Sequence, residues 1–420
     1  MHATTSAMST SAPARIAPPH RRHDARRIVA TITPRHARSR ASGAMASTTY
    51  GWNQFLARDA RSRGAVPRGV RARAGQLRDG DESHRRASTT RARAASGAMA
   101  PANADGPSRA ELWWRAIKLP MYSVAWIPIL CAASLVYLKF GVVDVSSVSE
   151  LALGSSGVVA WLNLSNDAWD ASTTVDATKP ESVVNLMGGN AKVVHAMAWA
   201  ALLAGAGLLY AACAASGNPL SWKLLLGATA LGHAYQGPPF RLSYKGLGEP
   251  IAFTAFGPLA TVAFYIALCG KAQGGAPVVV TAVVSSVAVL LGCTTAFILF
   301  TSHFHQEAGD RAAGKLSPIV RLGLPQSLLL ADNLVGAHYA CIATLAAAGW
   351  LPYTAVFGLV VSYPLARHIV DYAQQKLDAN DIDALFFTKY LAVRWHIVHG
   401  VALALGIIAQ RVFLSPDLFV

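Results

Sequence analysis

The stretch GVVAWLNLSNDAWDASTTVD, residues 157–176, joins an apolar run to a cluster of polar side chains. Asn166 and Asp170 are four residues apart, and Asp167 and Asp170 are three apart, so a continuing helix would place all three on one face. Oxygen ligands at this spacing suit Mg²⁺, which prefers one or two carboxylates together with phosphate oxygens of a substrate. The stretch therefore predicts a helix that ends in half of a metal site, with Asp176 as a further oxygen ligand.

An alternative interpretation of this stretch is an interfacial turn, in which Asn and Asp are common. A single acid would favour that interpretation. Three acids and an asparagine at the end of one apolar segment favour a functional site instead. On either interpretation the acids are interfacial, so we expect Asp167 to have little role in packing.

The rest of the chain is also strongly apolar, since 53% of its 420 residues are hydrophobic and the mean hydropathy is +0.34. A helix needs about 20 mostly apolar residues to cross roughly 30 Å of hydrocarbon. The sequence predicts nine such segments, and hence an all-α, polytopic membrane bundle. The predicted spans are residues 119–139, 148–165, 191–214, 221–236, 250–269, 277–300, 327–349, 352–371 and 394–413.

The first 100 residues differ in composition from the rest. They contain 19 Arg, no Lys and five acids, a balance of +14, whereas the whole chain carries +15. An Arg-rich, Ser-rich leader with few acids is typical of an organelle transit peptide, and a disordered basic tail is the alternative. We therefore predict a leader over residues 1–100 and a membrane domain over residues 101–420. Because the membrane domain is nearly neutral, we expect no nucleic-acid partner.

With nine spans, the loops after the second, fourth, sixth and eighth spans share one side of the membrane. These loops are long and charged, whereas the loops on the opposite side are short. The basic residues of the shared side are Lys179, Arg241, Lys245, Arg311, Lys315, Arg321, Lys376 and Lys389. By the positive-inside rule this side faces the cytoplasm, or the stroma or matrix of an organelle. The polar chemistry of the chain is thus predicted to meet at one membrane face.

A second polar cluster, HFHQEAGDRAAGKLSPIVRLG, spans residues 303–323 in the loop after the sixth predicted span. Gln306, Glu307 and Asp310 are oxygen donors at helical spacing. Three cations that can bind diphosphate oxygens follow: Arg311, Lys315 and Arg321. His303 and His305 are two residues apart, which on a helix points them to different faces, so we expect cavity-wall residues and not metal ligands. Two acidic clusters near cations predict a site for a Mg²⁺-bound lipid diphosphate.

These blocks resemble the UbiA-type intramembrane prenyltransferases, which carry an N-D-x-x-D motif after the second helix and another acidic motif after the sixth. The matching stretches are NDAWDASTTVD at 166–176, KPESVVNLMG at 179–188, YQGPPFRLSYKGLGE at 235–249, SHFHQ at 302–306 and AAGKLSPIVRLG at 312–323. Within the family the chain looks most like the plant and cyanobacterial branch that transfers phytyl to 1,4-dihydroxy-2-naphthoate, because Asp176 follows Asp170 by six positions. In one departure, Ala308 and Gly309 precede Asp310 where this branch usually has more acids.

The resemblance implies a site for phytyl or another prenyl diphosphate, held through Mg²⁺. The implied metal ligands are Asn166, Asp167 and Asp170 in the first motif, and Asp310 with Glu307 or Gln306 in the second. The cations implied to neutralise the leaving group are Lys179, Arg311, Lys315 or Arg321. Arg241 and Lys245 are candidates to hold the naphthoate carboxylate or to cap the site, or they belong to a loop that only orients the protein.

The resemblance also implies the reaction. The allylic C–O bond ionises, and an electron-rich ring carbon of 1,4-dihydroxy-2-naphthoate attacks the cation and loses its carboxylate, in phylloquinone biosynthesis. The expected location is a chloroplast membrane, with lipid around the helices and the site facing the stroma.

Two alternatives stay open at the level of sequence. The same chemistry could act on homogentisate or chlorophyllide, although the spacing of Asp176 and the SPIVRLG block favour naphthoate. A membrane transporter would use intramembrane acids for an ion path, but it should show internal repeats and polar residues near the span midpoints. Here the acids lie at span ends on one side, which favours the enzyme.

Overall fold

The computed structural model of the protein describes residues 108–172, 180–273, 278–415 and 419. Within those residues the secondary structure is helical, without a strand. The predicted leader over residues 1–100 lies outside this part of the chain, and so do Asp176 and Lys179. The prediction of an all-α membrane fold is confirmed for the residues that the structure describes.

The helices follow one another along the described chain. They are α1 Arg109–Ile117, α2 Ser123–Phe140, α3 Val145–Ser172, α4 Val183–Leu186, α5 Ala191–Ala215, α6 Pro219–Gln236, α7 Gly248–Thr254, α8 Val262–Ala272, α9 Ala282–Ser302, α10 Glu307–Ala312, α11 Pro318–Leu322, α12 Leu324–Ala347, α13 Tyr353–Val361, α14 Tyr363–Asp378 and α15 Thr388–Phe413. Short 3₁₀ turns occupy Leu119–Tyr122, Leu242–Lys245 and Asp383–Phe387. A π-helical segment, Ala255–Thr261, joins α7 to α8.

Seven helical segments among the described residues are long and apolar enough to cross a membrane. They are Arg109–Phe140, Val145–Ala171, Ala191–Ala215, Gly248–Ala272, Ala282–Ser302, Leu324–Ala347 and Asp383–Phe413. The predicted count of nine is therefore not confirmed. The predicted span 221–236 lies in α6, whose 18 residues include Lys223, His233 and Gln236. The predicted span 352–371 is divided at Ser362, since Pro364 near the start of α14 cannot donate a backbone hydrogen bond.

Local sequence signals explain where several helices begin. Ser108 and Glu111 form a reciprocal capping box at the start of α1, with hydrogen bonds of 2.8 and 3.2 Å. Asn218 accepts a hydrogen bond from Leu220 N at 3.0 Å, and Pro219 occupies the first position of α6. These caps satisfy backbone groups that would otherwise be unpaired at a helix end.

The long helices α3 and α5 pack against each other through glycine. A Cβ on Gly205 would lie 2.6 Å from Gly154 O, and one on Gly157 would lie 2.8 Å from Ala201 O. Small residues allow such close backbone approach, which is how helices commonly associate in membranes. This contact holds α3, the helix that carries the first polar motif, against a fixed neighbour.

Candidate functional site

A cavity of about 400 Å³ opens between α3, α6, the π-helical segment and α9. Apolar side chains such as Val158, Leu225, Phe256 and Ile298 line most of its depth. Its charged, imidazole and amide lining residues include Lys118, Asn166, Asp170, His303, Gln306, Asp310, Lys315 and Lys389. Each of the four charged loops predicted to share one side contributes lining residues, the second loop through Ser243 and Tyr244. These four loops therefore meet at one cavity, and their placement on one membrane face stays a prediction.

The first motif continues the helix, as its spacing predicts. Helix α3 extends to Ser172, so Asn166 and Asp170 stand one turn apart. Asn166 Nδ2 donates a hydrogen bond to Asp170 Oδ2 at 3.0 Å, and both residues line the cavity. Their oxygen atoms therefore belong to one wall of the site.

Asp167 does not share that wall, and the expectation of little packing role for it is wrong. A residue turns by about 100° per step along a helix, so Asp167 points away from its neighbour Asn166. Its side chain is buried, with Oδ1 2.9 Å from Lys118 Nζ and Oδ2 accepting a hydrogen bond from Val183 N at 3.0 Å. Asp167 therefore connects the residue after α1 to the start of α4.

Lys118 is a cavity cation that sequence reasoning missed. It follows α1 in a left-handed conformation, with φ 53°, and lines the cavity while bound to Asp167. It lies outside both acidic motifs, so its position depends on how α1 folds back onto α3. The pairing with an acid in NDAWD is a tertiary contact, for which the sequence offers no periodic signal.

In the second motif the structure separates the three predicted oxygen donors. Gln306 and Asp310 line the cavity, whereas Glu307 is outside the lining and accepts a hydrogen bond from Arg311 at 2.9 Å. Asp310 is 3% exposed. Its Oδ1 lies 3.3 Å from Lys315 Nζ, and its buried Oδ2 has no hydrogen-bond partner among the described residues.

Of the three cations in the second motif, Lys315 lines the cavity. The Arg311 side chain is 61% exposed and pairs with Glu307. Arg321 donates to Lys245 O at 2.7 Å and to Leu316 O at 3.0 Å, so it joins two loops. These contacts give Arg311 and Arg321 places beside the cavity, not on its wall.

The predicted acceptor-binding pair also lies beside the wall. The Arg241 guanidinium stands 5.9 Å from the ring centroids of Trp169 and Tyr244. These two cation–π contacts hold the guanidinium against the aromatic rings. Lys245 contributes its backbone carbonyl to Arg321.

The two histidines of the second motif have different surroundings. His303 lies on the cavity wall, as predicted, with Nδ1 3.2 Å from Glu249 Oε1 and Nε2 3.4 Å from Lys315 Nζ. His305, also predicted to lie on the cavity wall, is outside the lining and packs edge-on against Phe386 at a centroid distance of 5.1 Å. The pair therefore does not converge on a common ligand.

The donor set fits Mg²⁺. Amide and carboxylate oxygens of Asn166, Asp170, Gln306 and Asp310 surround one end of the cavity. Among the described residues no group of three or more His, Cys, Asp or Glu side chains could hold a metal by itself. Mg²⁺ held by these amide and carboxylate oxygens would complete its shell with water and phosphate oxygens. Asp310 Oδ2 is buried and has no hydrogen-bond partner among the described residues, and a bound Mg²⁺ would coordinate it.

Comparison with known proteins gives consistent matches. The sequence profile of the UbiA prenyltransferase family matches residues 125–390. The chloroplastic 2-carboxy-1,4-naphthoquinone phytyltransferase of Arabidopsis thaliana is 41% identical over 303 residues, which cover 72% of this chain and 78% of the relative. The 2-carboxy-1,4-naphthoquinone phytyltransferase of Synechocystis sp. is 38% identical over 315 residues, covering 73% of this chain and 96% of the relative.

Solved structures give more distant matches. A digeranylgeranylglyceryl phosphate synthase is 14% identical, with a TM-score of 0.47 and coverage of 71% of this chain and 99% of the other. A UbiA homolog from Archaeoglobus fulgidus, bound to DMAPP and Mg²⁺, is 14% identical, with a TM-score of 0.42 and coverage of 69% and 98%. Likeness at this level carries no argument about the site.

Proposed function

Because the chain belongs to the UbiA prenyltransferase family, we propose that it transfers a phytyl group from phytyl diphosphate to 1,4-dihydroxy-2-naphthoate. The carboxylate is lost, and the reaction serves phylloquinone biosynthesis. The observation that carries this proposal is a single cavity with oxygen donors and lysines at one end and apolar walls along its depth. Such a shape suits a diphosphate with a long hydrocarbon tail.

The polar end receives the diphosphate. Lys118 and Lys315 lie on the lining of the cavity, each beside an acid that orients it: Asp167 at 2.9 Å and Asp310 at 3.3 Å. Their ammonium groups stabilise the negative charge that grows on the leaving group. The oxygens of Asn166, Asp170, Gln306 and Asp310 would hold Mg²⁺. When bound, this ion supplies further positive charge to the departing diphosphate.

The apolar walls protect the allylic cation. Val158, Phe256 and Ile298 present apolar surface along the tail, and they exclude water that would otherwise add to the cation. Several wall hydroxyls donate to carbonyls of their own helices, among them Thr229 to Leu225 O and Thr295 to Leu291 O, each at 2.9 Å. These hydrogen bonds turn the hydroxyl protons toward the helix backbone.

The acceptor reacts at the ring carbon that carries the carboxylate. The prenyl C–O bond breaks first, and a bond then forms between that ring carbon and the cationic C1 of the prenyl group. The ring–carboxylate bond then breaks, its electron pair returns to the ring, and CO₂ and diphosphate leave. No proton is removed from this carbon, so the site needs no base there.

The oxidation state of the acceptor follows from the same chemistry. The relatives are named for 2-carboxy-1,4-naphthoquinone, an oxidised ring. A quinone is electron-poor and attacks a carbocation slowly, whereas the 1,4-dihydroxy ring is electron-rich at the same carbon. We therefore propose that the reduced acceptor is the reacting species. The Arg241 guanidinium, held against Trp169 and Tyr244, is the candidate to attract its carboxylate.

A chloroplast membrane is the proposed location, with the site facing the stroma. The chloroplastic Arabidopsis relative and the composition of residues 1–100 support this location. The concentration of basic loop residues on the side of the site supports the orientation.

An acceptor and donor panel tests the proposed function. Membranes that contain the full chain receive phytyl diphosphate and Mg²⁺ with one acceptor at a time: dihydroxynaphthoate under reducing conditions, its oxidised form, or homogentisate. We expect product and CO₂ release with the reduced naphthoate, and much slower turnover with the other two. Faster prenylation of homogentisate would overturn the assignment of the acceptor. Faster turnover of the oxidised ring would overturn the proposed oxidation state.

A further inference from the structure

The described wall of the cavity carries four side-chain amides, and they differ in how their hydrogen bonds are satisfied. Three of them are bonded within the protein: Asn166 to Asp170 at 3.0 Å, Gln236 to Leu162 O at 3.2 Å and Gln306 to His305 at 3.4 Å. The fourth, Asn163, has a buried Nδ2 without a hydrogen-bond partner among the described residues. A buried amide that lacks a partner is unfavourable, and native proteins rarely leave one unexplained.

The hydroxyl groups nearby do not compensate for this amide. Thr229, Thr295 and Ser302 line the same cavity, and each donates to a carbonyl of its own helix at 2.9, 2.9 and 2.6 Å. Ser155 Oγ is also buried and unpaired, but Ser155 lies eight residues before Asn163, or about 12 Å further along α3. Asn163 is therefore the unsatisfied amide close to the polar end.

The position of Asn163 along α3 places it at the expected depth of the reacting atoms. It precedes Asn166 by three residues on the same helix, which places it about 4.5 Å deeper than the proposed diphosphate site. The prenyl carbon that reacts is bonded directly to the diphosphate oxygen. The attacked ring must lie against that carbon, at the depth of Asn163, whereas the diphosphate itself stays nearer Asn166 and Asp170.

We propose that Asn163 recognises a ring oxygen of the bicyclic acceptor and so determines specificity for a 1,4-dioxygenated naphthalene ring. This inference rests on the proposed function. A carboxamide can donate to a carbonyl or phenolate oxygen and accept from a phenolic hydroxyl. The contact satisfies the amide only when acceptor is bound, so an apolar ring without that oxygen leaves Asn163 unpaired and binds more weakly.

The test compares Asn163→Leu, which keeps the approximate size of the side chain and removes its polar atoms, with the wild-type full chain in membranes. Asn333→Leu on α12 is the matched control, because Asn333 is exposed and outside the cavity. We expect kcat/KM for dihydroxynaphthoate to fall about tenfold or more in Asn163→Leu, as for a lost hydrogen bond to a substrate. The KM for phytyl diphosphate should change by less than about twofold. Asn333→Leu should match wild type for both substrates.

A binding measurement covers the case in which Asn163→Leu has no measurable turnover. The probes are a non-ionising phytyl thiodiphosphate and the hydroxynaphthoates that lack the oxygen at C1 or at C4. Asn163→Leu should bind the thiodiphosphate like wild type. It should also lose the preference of the wild type for one of the two hydroxynaphthoates. Impaired thiodiphosphate binding, or an unchanged preference between the hydroxynaphthoates, would overturn the inference.

Failure of this inference is distinguishable from failure of the proposed function. If wild type prenylates dihydroxynaphthoate and Asn163→Leu does so with unchanged kinetics, Asn163 has no part in recognition, yet the function stands. If wild type prenylates no naphthoate acceptor, the proposed function fails, and the inference fails with it.

Discussion

Lys118 Nζ lies 2.9 Å from Asp167 Oδ1 and joins the segment after α1 to the polar end of α3. The other oxygen of the same carboxylate accepts a hydrogen bond from Val183 N at 3.0 Å. One buried acid thus holds together three segments of chain. It also directs a lysine toward the cavity, so we assign Asp167 a positioning role through Lys118 and assign the direct contacts with ligand oxygens to Asn166 and Asp170.

Replacing the two acids of this motif should separate stability from activity. Asp167→Ala removes a charge-assisted contact and a buried acceptor, so the free energy of unfolding should fall by about 2 kcal/mol. Asp170→Ala should leave it within about 0.5 kcal/mol and abolish turnover, because Asp170 faces the cavity. Thermal unfolding in detergent and phytyl transfer in membranes measure the two effects. Equal loss of stability in both variants would contradict the assigned roles.

The second motif yields a matched pair of isosteric variants. Asp310→Asn should lower turnover by at least about 100-fold, since it removes the charge of a buried cavity-wall carboxylate. Glu307→Gln should lower it by less than about threefold, because an exposed pair such as that of Glu307 with Arg311 contributes little. Steady-state transfer assays at saturating Mg²⁺ compare the two. A severe defect in Glu307→Gln would contradict this assignment and would support Glu307 as a metal ligand.

Replacing the lysines on the cavity wall should change the KM for phytyl diphosphate more than replacing the arginines beside it. Lys118→Met and Lys315→Met should each raise the KM for phytyl diphosphate about tenfold, because each removes a positive charge from the polar end of the cavity. Arg311→Met serves as the control and should change this KM by less than about twofold, since its side chain is largely exposed. A larger effect for Arg311→Met than for Lys315→Met would mean that the diphosphate binds outside the cavity.

The sequence predicts the architecture of this site better than its contacts. Apolar segment length predicts the membrane helices, and the spacing of Asn166 and Asp170 predicts a shared helical face, which the structure confirms. The count of nine spans is not confirmed, because α6 contains polar residues and the predicted span 352–371 is interrupted at Ser362.

The roles of Asp167 and Asn163 depend on tertiary packing, which the sequence pattern does not predict. Asp167 is adjacent to Asn166, but one step around the helix turns it toward Lys118, a residue that belongs to neither motif. Asn163 lies in an apolar run with no feature that distinguishes it from a packing residue. Its unpaired amide becomes visible only when the neighbouring side chains are in place. For both residues, the role depends on which side chain of another helix or loop lies next to it in the folded protein.

The most direct measurement is phytyl transfer itself, in membranes that carry the full chain. They are incubated with phytyl diphosphate and reduced dihydroxynaphthoate, first with excess Mg²⁺ and then with a chelator. Membranes with Asp170→Ala serve as the control for host enzymes. We expect a prenylated naphthoquinol and CO₂ with Mg²⁺, none after chelation, and recovery when Mg²⁺ is restored. Absence of the product from the Mg²⁺ sample, or equal product from Asp170→Ala, would contradict the proposal that this cavity is the site of prenyl transfer.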